Sequence, residues 1–106
     1  MFGLFGKLTA RPGQRDDLLS ILLEASSGVA QIDGCQLYVV NTSPDDPDGI
    51  WVYEVWDDQE AHAASLRRED TQAAIKRAMP LLAGPPEGGI VLTPVGGHGL
   101  DAGRMS

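Results

Sequence analysis

The chain has a single cysteine, Cys35, so it can form neither an internal disulfide bond nor a cysteine metal cluster. It has no run of about 20 apolar residues, the length a helix needs to cross a bilayer. It has 8 basic and 15 acidic residues, and the resulting net charge of −7 argues against nucleic acid and anionic membranes as partners. The first seven residues lack the basic segment and the apolar core of a secretory signal peptide. We therefore expect a soluble cytoplasmic protein.

Motifs for nucleotides, metals and common nucleophiles are also missing. The chain contains no P-loop, no dinucleotide fingerprint, no H-x-x-x-H pair and no G-x-S-x-G turn. We therefore expect no bound metal and no cofactor. At 106 residues the chain makes one domain, and a ligand pocket in so small a domain takes up much of its core.

Aromatic residues are scarce, yet three of the six lie within six positions, as Trp51, Tyr53 and Trp56. The same stretch contains Glu54 inside an apolar strand pattern, and His62 follows in the next helical segment. Aromatic rings stack on flat ligands, and an indole N–H can donate to a ligand oxygen. The segment therefore predicts one wall of a site for an aromatic molecule.

Hydrophobic spacing predicts the element order β-α-β-β-α-α-β. Strands are expected at residues 2–10, 35–41, 50–56 and 90–95, and a first helix at residues 18–29 that frays around 26–28. The polar residues 43–49 are predicted to be a turn outside the sheet, and residues 84–89 a loop. Asp57 and Asp70 are expected to cap the second and third helices, and Pro80 to end the regular part of the third.

This order predicts an α+β ferredoxin-like sandwich with a four-stranded antiparallel sheet and its helices on one face. Residues 1–95 would form the domain, and the glycine-rich residues 96–106 a flexible C-terminal tail. The second and third strands are apolar on both faces, although helices can cover only one. The other face, with Trp51, Tyr53 and Val55, is expected to pack against a second copy of the chain.

Several short motifs occur in a characteristic order: Arg11-Pro-Gly after the first strand, Gly34-Cys35 opening the second, Tyr53-Glu-Val-Trp ending the third, then Glu60-Ala-His and Pro80-Leu-Leu. Over residues 4–95 this order resembles the antibiotic biosynthesis monooxygenase family. The resemblance implies a dimeric α+β barrel with a pocket between sheet and helices in each protomer. It also implies oxidation of phenols, anthrones or quinols by O₂ without flavin, haem or metal.

Two positions depart from related patterns. Many relatives have a second histidine three residues after the first, and this chain has Ser65 there. The resemblance therefore transfers no role that needs two imidazoles. Haem-degrading proteins of similar fold use an asparagine on the first strand, and residues 2–10 contain none.

His62 and Trp56 are the predicted catalytic residues. An imidazole accepts a proton near neutral pH, so His62 would deprotonate a phenol; the alternative is a half-buried histidine that only completes the packing. Trp56 would form the pocket wall, as the strand-end tryptophan does in the family, or would be an ordinary core residue. Leu66, the one large apolar residue of its helix, suggests that the helix face with His62 and Ser65 turns inward.

The remaining predicted site residues are assigned to substrate binding: Glu54, Ser65, Leu66, Lys76 and Met79. Glu54 shares the face of Trp56 and is either a base or a structural carboxylate paired with backbone or arginine. Lys76 or Arg77 would stabilise a substrate oxyanion, or would simply be solvated. A bulge in the third strand would exchange the two sheet faces and their roles.

Three functions remain open from the sequence. The first is a cofactor-independent monooxygenase acting on a phenolic, anthrone or quinol-type aromatic compound with O₂. The second is a non-catalytic dimeric module that binds a small molecule. The third is a polyketide cyclase or isomerase-like enzyme that moves protons and uses no oxygen. Because one fold supports many activities, the choice among these rests on analogy.

Overall fold

The structure, a computed structural model, describes residues 1–100. Its strands are β1 (Phe2–Thr9), β2 (Cys35–Ser43), β3 (Asp46–Trp56) and β4 (Glu87–Leu92), and its helices are α1 (Arg15–Val29), α2 (Gln59–Leu66) and α3 (Glu69–Ala78). The four strands form one sheet in the order β2-β3-β1-β4, and every pairing is antiparallel. The predicted ferredoxin-like α+β architecture is confirmed.

The core lies on the sheet face that the helices cover. Leu18 of α1 and Ile50 of β3 are fully buried, and they cluster with Ala10 and Val52. The apolar residues of α1 recur at three- and four-residue spacing, which turns one stripe of the helix towards the sheet. Because alternate residues of a strand share a face, Ile50 and Val52 place Glu54 and Trp56 on this covered side as well.

The β2–β3 hairpin is longer than expected. The prediction that residues 43–49 lie outside the sheet is wrong, because Ser43 pairs with Asp46 and the turn consists of residues 44–45 only. The carboxylate of Asp46 lies 2.7 Å from Lys7 Nζ. The pairing of β3 with β1 begins at Gly49, so Pro47 lies where its missing N–H removes no bond of that ladder.

Two helix starts differ from the prediction. Asp58, not Asp57, caps α2, and its side chain accepts the N–H of Ala61 at 2.8 Å. Asp57 instead accepts a hydrogen bond from the Gln36 side-chain amide. Asp70 lies within the first turn of α3 rather than at its cap, and its carboxylate pairs with Arg68 at 3.1 Å.

The helix and strand ends refine the prediction further. Helix α1 continues through residues 26–28 to Val29, and the hydroxyl groups of Ser26 and Ser27 donate to the backbone oxygen of Leu23 within the helix. Helix α3 ends at Ala78 and a short 3₁₀ turn contains Pro80, as expected.

Strand β4 is at the sheet edge and covers residues 87–92, so it starts and ends three residues earlier than expected. Of the predicted tail, residues 96–100 contain no helix or strand, and residues 101–106 lie outside the described part of the chain. No helix within residues 1–100 is long and apolar enough to span a membrane.

Candidate active site

A cavity of 920 Å³ lies between the covered sheet face and helices α1 and α3. The strands contribute Leu8, Tyr38, Glu54 and Trp56 to its wall. This volume is in the range of small-molecule sites, which typically measure about 300–1,000 Å³. The space between helices and sheet is therefore large enough for a compound of several fused rings.

Small residues on the two helices explain why this space is not filled. Ala25 and Gly28 line the cavity from α1, and Ala74 and Ala78 line it from α3. Side chains of this size do not reach the sheet, whereas an ordinary core would be close-packed here. Helix α1 packs tightly against the sheet further along, where Leu18 is fully buried. The cavity is thus encoded by alanine and glycine at inward-facing helical positions.

Glu54 is a largely buried carboxylate in the cavity wall, with 18% of its side chain exposed. The indole N–H of Trp56 donates to its Oε1 at 3.1 Å, and Nε2 of His62 lies 3.8 Å from the same oxygen. Burial raises the pKa of Glu54 above its ordinary value, while the Trp56 N–H and the His62 ring oppose part of that rise. A carboxylate of this kind binds a proton more readily than one in water.

His62 lies behind Glu54 rather than in the cavity wall. Its ring centroid is 5.4 Å from that of Phe2 and 5.9 Å from that of Trp56, and 15% of its side chain is exposed. The cavity wall defined by residues 1–100 does not include His62. The histidine therefore contacts the carboxylate and the indole, and it also reaches the protein surface.

The wall also contains two α2 residues that were predicted to bind substrate, Ser65 and Leu66. Ser65 is buried, lines the cavity and donates its hydroxyl to the backbone oxygen of His62 at 2.6 Å. Leu66 lines the cavity but is 43% exposed, so it is not the inward anchor that the sequence suggested. The buried position of this helix is the small serine.

Tyr38 is a cavity residue that the sequence interpretation missed. It lies directly opposite Glu54 in the β2–β3 pairing, so both side chains project from the same face within a few ångströms of each other. Burial, followed by the nearby Glu54 charge, raises the pKa of Tyr38 above its ordinary value, which keeps the phenol protonated. The alternation of β2, with Tyr38 and Val40 on one face, was the signal that could have identified it.

At the cavity opening, Arg77 of α3 lies 3.4 Å from Glu24 of α1. Lys76, predicted to bind substrate, is exposed and does not belong to the wall formed by residues 1–100, whereas its neighbour Arg77 does. Successive helical residues point about 100° apart, so the two side chains leave the helix in different directions. Met79, also predicted to bind substrate, lines the cavity and is 62% exposed at its edge.

Within residues 1–100, no group of three or more histidine, cysteine, aspartate or glutamate side chains is arranged to bind a metal ion. The polar end of the cavity instead combines a proton-accepting carboxylate, a phenol and an indole. Such a set can orient a hydroxylated aromatic ring and take a proton from it. The rest of the wall is mainly aliphatic and would exclude water from the bound molecule.

Comparisons with known proteins agree with this architecture. The sequence model of the family described as antibiotic biosynthesis monooxygenase matches residues 1–77. A candidate antibiotic biosynthesis monooxygenase from Chloroflexus aurantiacus J-10-fl is 47% identical, with 93% of this chain and 97% of that chain covered and a TM-score of 0.83. No protein with a curated description matches the chain.

More distant solved structures share the fold. One from Caulobacter crescentus CB15, also a candidate antibiotic biosynthesis monooxygenase, is 22% identical over 90% of each chain, with a TM-score of 0.81. Rv0793 from Mycobacterium tuberculosis is 20% identical over 92% of this chain and 97% of that chain, with a TM-score of 0.80. At these identities the likeness concerns the fold alone.

Proposed function

The chain belongs to the antibiotic biosynthesis monooxygenase family, and we propose that it oxidises a phenolic, anthrone or quinol-type aromatic compound with O₂. The observation that supports this most is the composition of the cavity. It has 920 Å³ of space with a mainly aliphatic wall, and its polar groups at the sheet include a buried carboxylate beside an indole and a phenol. This arrangement suits a flat substrate with one acidic hydroxyl or CH group.

The proposed reaction begins with removal of that proton. The resulting anion is electron-rich and reacts with O₂; one oxygen atom becomes a carbonyl or hydroxyl oxygen of the product, and the other leaves as water. For an anthrone, the methylene carbon becomes a carbonyl carbon, and the two hydrogens that it loses balance those of the water molecule formed. The substrate supplies all the electrons, so we propose that the protein needs no flavin, haem or metal.

The residues have corresponding proposed roles. The Glu54–His62 pair removes the proton, and Trp56 provides an aromatic wall while its N–H holds the carboxylate in place. Ser65, Leu66 and Met79 shape the remaining wall. At the opening, the guanidinium of Arg77 would stabilise an anionic oxygen of the substrate, because a fixed cation lowers the energy of developing negative charge.

We also propose a homodimer formed through the open sheet face. On that face Phe5, Val39, Trp51, Tyr53 and Leu92 border a shallow depression. Val39 is 40% and Leu92 44% exposed, and the rings of Phe5 and Tyr53 lie 6.3 Å apart. An apolar sheet face of this kind is stabilised when a second copy covers it, and the resemblance to the family implies the same arrangement.

Oxygen uptake tests the proposed activity. The purified chain, without added flavin or metal, is mixed with anthrones and hydroquinones while O₂ and product are followed together. The proposal predicts O₂-dependent turnover. Conversion under strict anaerobiosis would support a cyclase or isomerase instead, and tight binding without a product would support a binding module.

A matched pair of variants on α3 assigns the activity to the cavity. Ala74→Phe fills the cavity without altering Glu54 or His62. Lys76→Phe places the same ring on the exposed side of the helix. Turnover should be lost in the first variant and kept in the second. Equal activity in both would mean that the reaction does not take place in this cavity.

A further inference from the structure

We propose that Glu54 takes the proton directly from the bound ligand, and that His62 then transfers it from Glu54 to solvent. This rests on the proposed function of the cavity and assigns an order to its acid–base groups. It differs from the expectation that the histidine contacts the substrate. Glu54 lines the cavity, and His62 lies 3.8 Å from its carboxylate with 15% of its side chain exposed, so the proposed path runs from the first residue to the second.

Position supports Glu54 as the group that meets the ligand. Glu54 lines the cavity, whereas His62 does not belong to the wall formed by residues 1–100. Both the Trp56 N–H and the His62 ring approach Oε1 of the carboxylate. Within the described part of the chain, Oε2 accepts no hydrogen bond from protein and stays available to a ligand hydroxyl.

The groups around Glu54 favour proton exchange over a fixed ion pair. The carboxylate accepts the Trp56 N–H from its own strand and lies near the His62 ring of α2, while β2 and β1 place Tyr38 and Leu4 opposite Glu54. Besides Glu54, the charged residues of the cavity wall are Glu24 of α1 and Asp70 and Arg77 of α3. No permanent cation is paired with Glu54 within residues 1–100, so the carboxylate is free to gain and lose a proton.

His62 is positioned to pass that proton from Glu54 to solvent. Its Nε2 is 3.8 Å from Glu54 Oε1, and 15% of its side chain is exposed. A hydrogen bond needs about 2.9 Å, so the transfer requires a side-chain movement of about 1 Å or one bridging water. In the first step the ligand O–H bond breaks and the Glu54 carboxyl forms. In the second, the proton moves to His62 Nε2 and then to water, which restores the carboxylate.

Turnover of the wild type, Glu54→Gln and His62→Ala separates the role of Glu54 at the ligand from that of His62 in proton transfer to solvent. Glu54→Gln keeps an oxygen for the Trp56 N–H and cannot take a proton, so kcat should fall by about 10²- to 10⁴-fold, the usual contribution of a general base. His62→Ala should lose less activity, and added imidazole should restore part of it by filling the space beside Glu54. Imidazole should not rescue Glu54→Gln. His62→Gln gives the same comparison in a better-packed variant if His62→Ala unfolds.

Two kinetic results would overturn the order. One is a Glu54→Gln variant with wild-type kcat. The other is a His62→Ala variant as inactive as Glu54→Gln that imidazole fails to rescue, because the histidine would then act at the substrate or only in packing. The pH profile adds a check: the acidic limb of kcat/KM should disappear in Glu54→Gln and persist in His62→Gln.

A binding experiment tests whether Glu54 contacts the ligand hydroxyl, independently of any reaction with oxygen. The probe is 2-hydroxyanthraquinone, a flat three-ring phenol that changes colour on ionisation. Next to an ionised Glu54, its phenolate would meet a second negative charge, so the bound dye should ionise at a pH about one unit or more higher in the wild type than in Glu54→Gln. A dye that does not bind, or that ionises at the same pH in both proteins, overturns the assignment of Glu54. A dye result as expected with no oxygenation would instead refute only the proposed activity.

Discussion

The hydrogen bond from Trp56 to Glu54 gives a quantitative prediction about the site. Trp56 is 1% exposed, and its N–H lies 3.1 Å from Glu54 Oε1. A hydrogen bond to a charged group contributes about 1.5–3 kcal/mol, and one between neutral groups about 0.5–1.5 kcal/mol. Trp56→Phe should therefore destabilise the wild type by about 1–2 kcal/mol more than it destabilises Glu54→Gln, where the acceptor is a neutral amide.

Urea unfolding at pH 7, followed by circular dichroism, measures this coupling from the wild type, the two single variants and the double variant. Trp51→Phe is the matched control, because Trp51 lies on the open sheet face and its effect should add to that of Glu54→Gln. At pH 4 the coupling should shrink, since the carboxyl then carries a proton. A coupling below about 0.3 kcal/mol at pH 7, no larger than that of the control, would refute the charged hydrogen bond.

Three further predictions concern stability and assembly. Burial raises the pKa of Glu54, so the contribution of this residue to stability is complete below the ordinary pKa of 4.5 and is lost as the pH rises through the higher pKa of the folded protein. The free energy of unfolding of Glu54→Gln minus that of the wild type should therefore increase between pH 4 and pH 8. A flat difference would contradict the burial effect. Gly34 has a φ of +93°, and a Cβ there would lie 2.9 Å from Ala61 Cβ, so Gly34→Ala should destabilise the protein by about 2–4 kcal/mol. Gly13 has a φ of +81° and open space around it, so Gly13→Ala should cost about 1 kcal/mol in the same urea experiment. Equal losses would show that α2 does not pack where described. In sedimentation experiments Tyr53→Lys should weaken the proposed dimer by at least about tenfold, the loss expected when the centre of an interface takes up an unpaired charge. Leu23→Lys, at an exposed position of α1, should leave the dimer unchanged. A wild type that is monomeric at micromolar concentration would rule the dimer out.

The sequence allowed the fold to be predicted because its main signals are local and repeated. Alternating strands, a helix with apolar residues at three- and four-residue spacing, and the order of the elements are sufficient for a ferredoxin-like sheet. The hairpin was misjudged because backbone pairing does not require apolar side chains. Asp46 joins the ladder and meets Lys7 across the neighbouring strand, a contact between residues 39 positions apart.

The candidate site could be predicted only in part. The two-residue spacing of Glu54 and Trp56 correctly placed both on one face. The rotation of the helices was harder to predict, because one residue corresponds to about 100° and α2 has a single large apolar side chain to indicate its phase. Leu66 therefore lies at the opening, Ser65 inside, and Arg77 rather than Lys76 faces the cavity. The alternation of β2 places Tyr38 on the same face as Val40, but its position opposite Glu54 depends on the strand register, which no local pattern specifies.

Isotope labelling of the product tests the proposed activity most directly. The purified chain is given an anthrone under ¹⁸O₂ in ordinary water, with no added flavin or metal, and the quinone formed is analysed by mass spectrometry. The account predicts one ¹⁸O atom in each product molecule, formed at a rate that Ala74→Phe abolishes and Lys76→Phe preserves. Product without the label, or labelled product at the same rate in both variants, would contradict it.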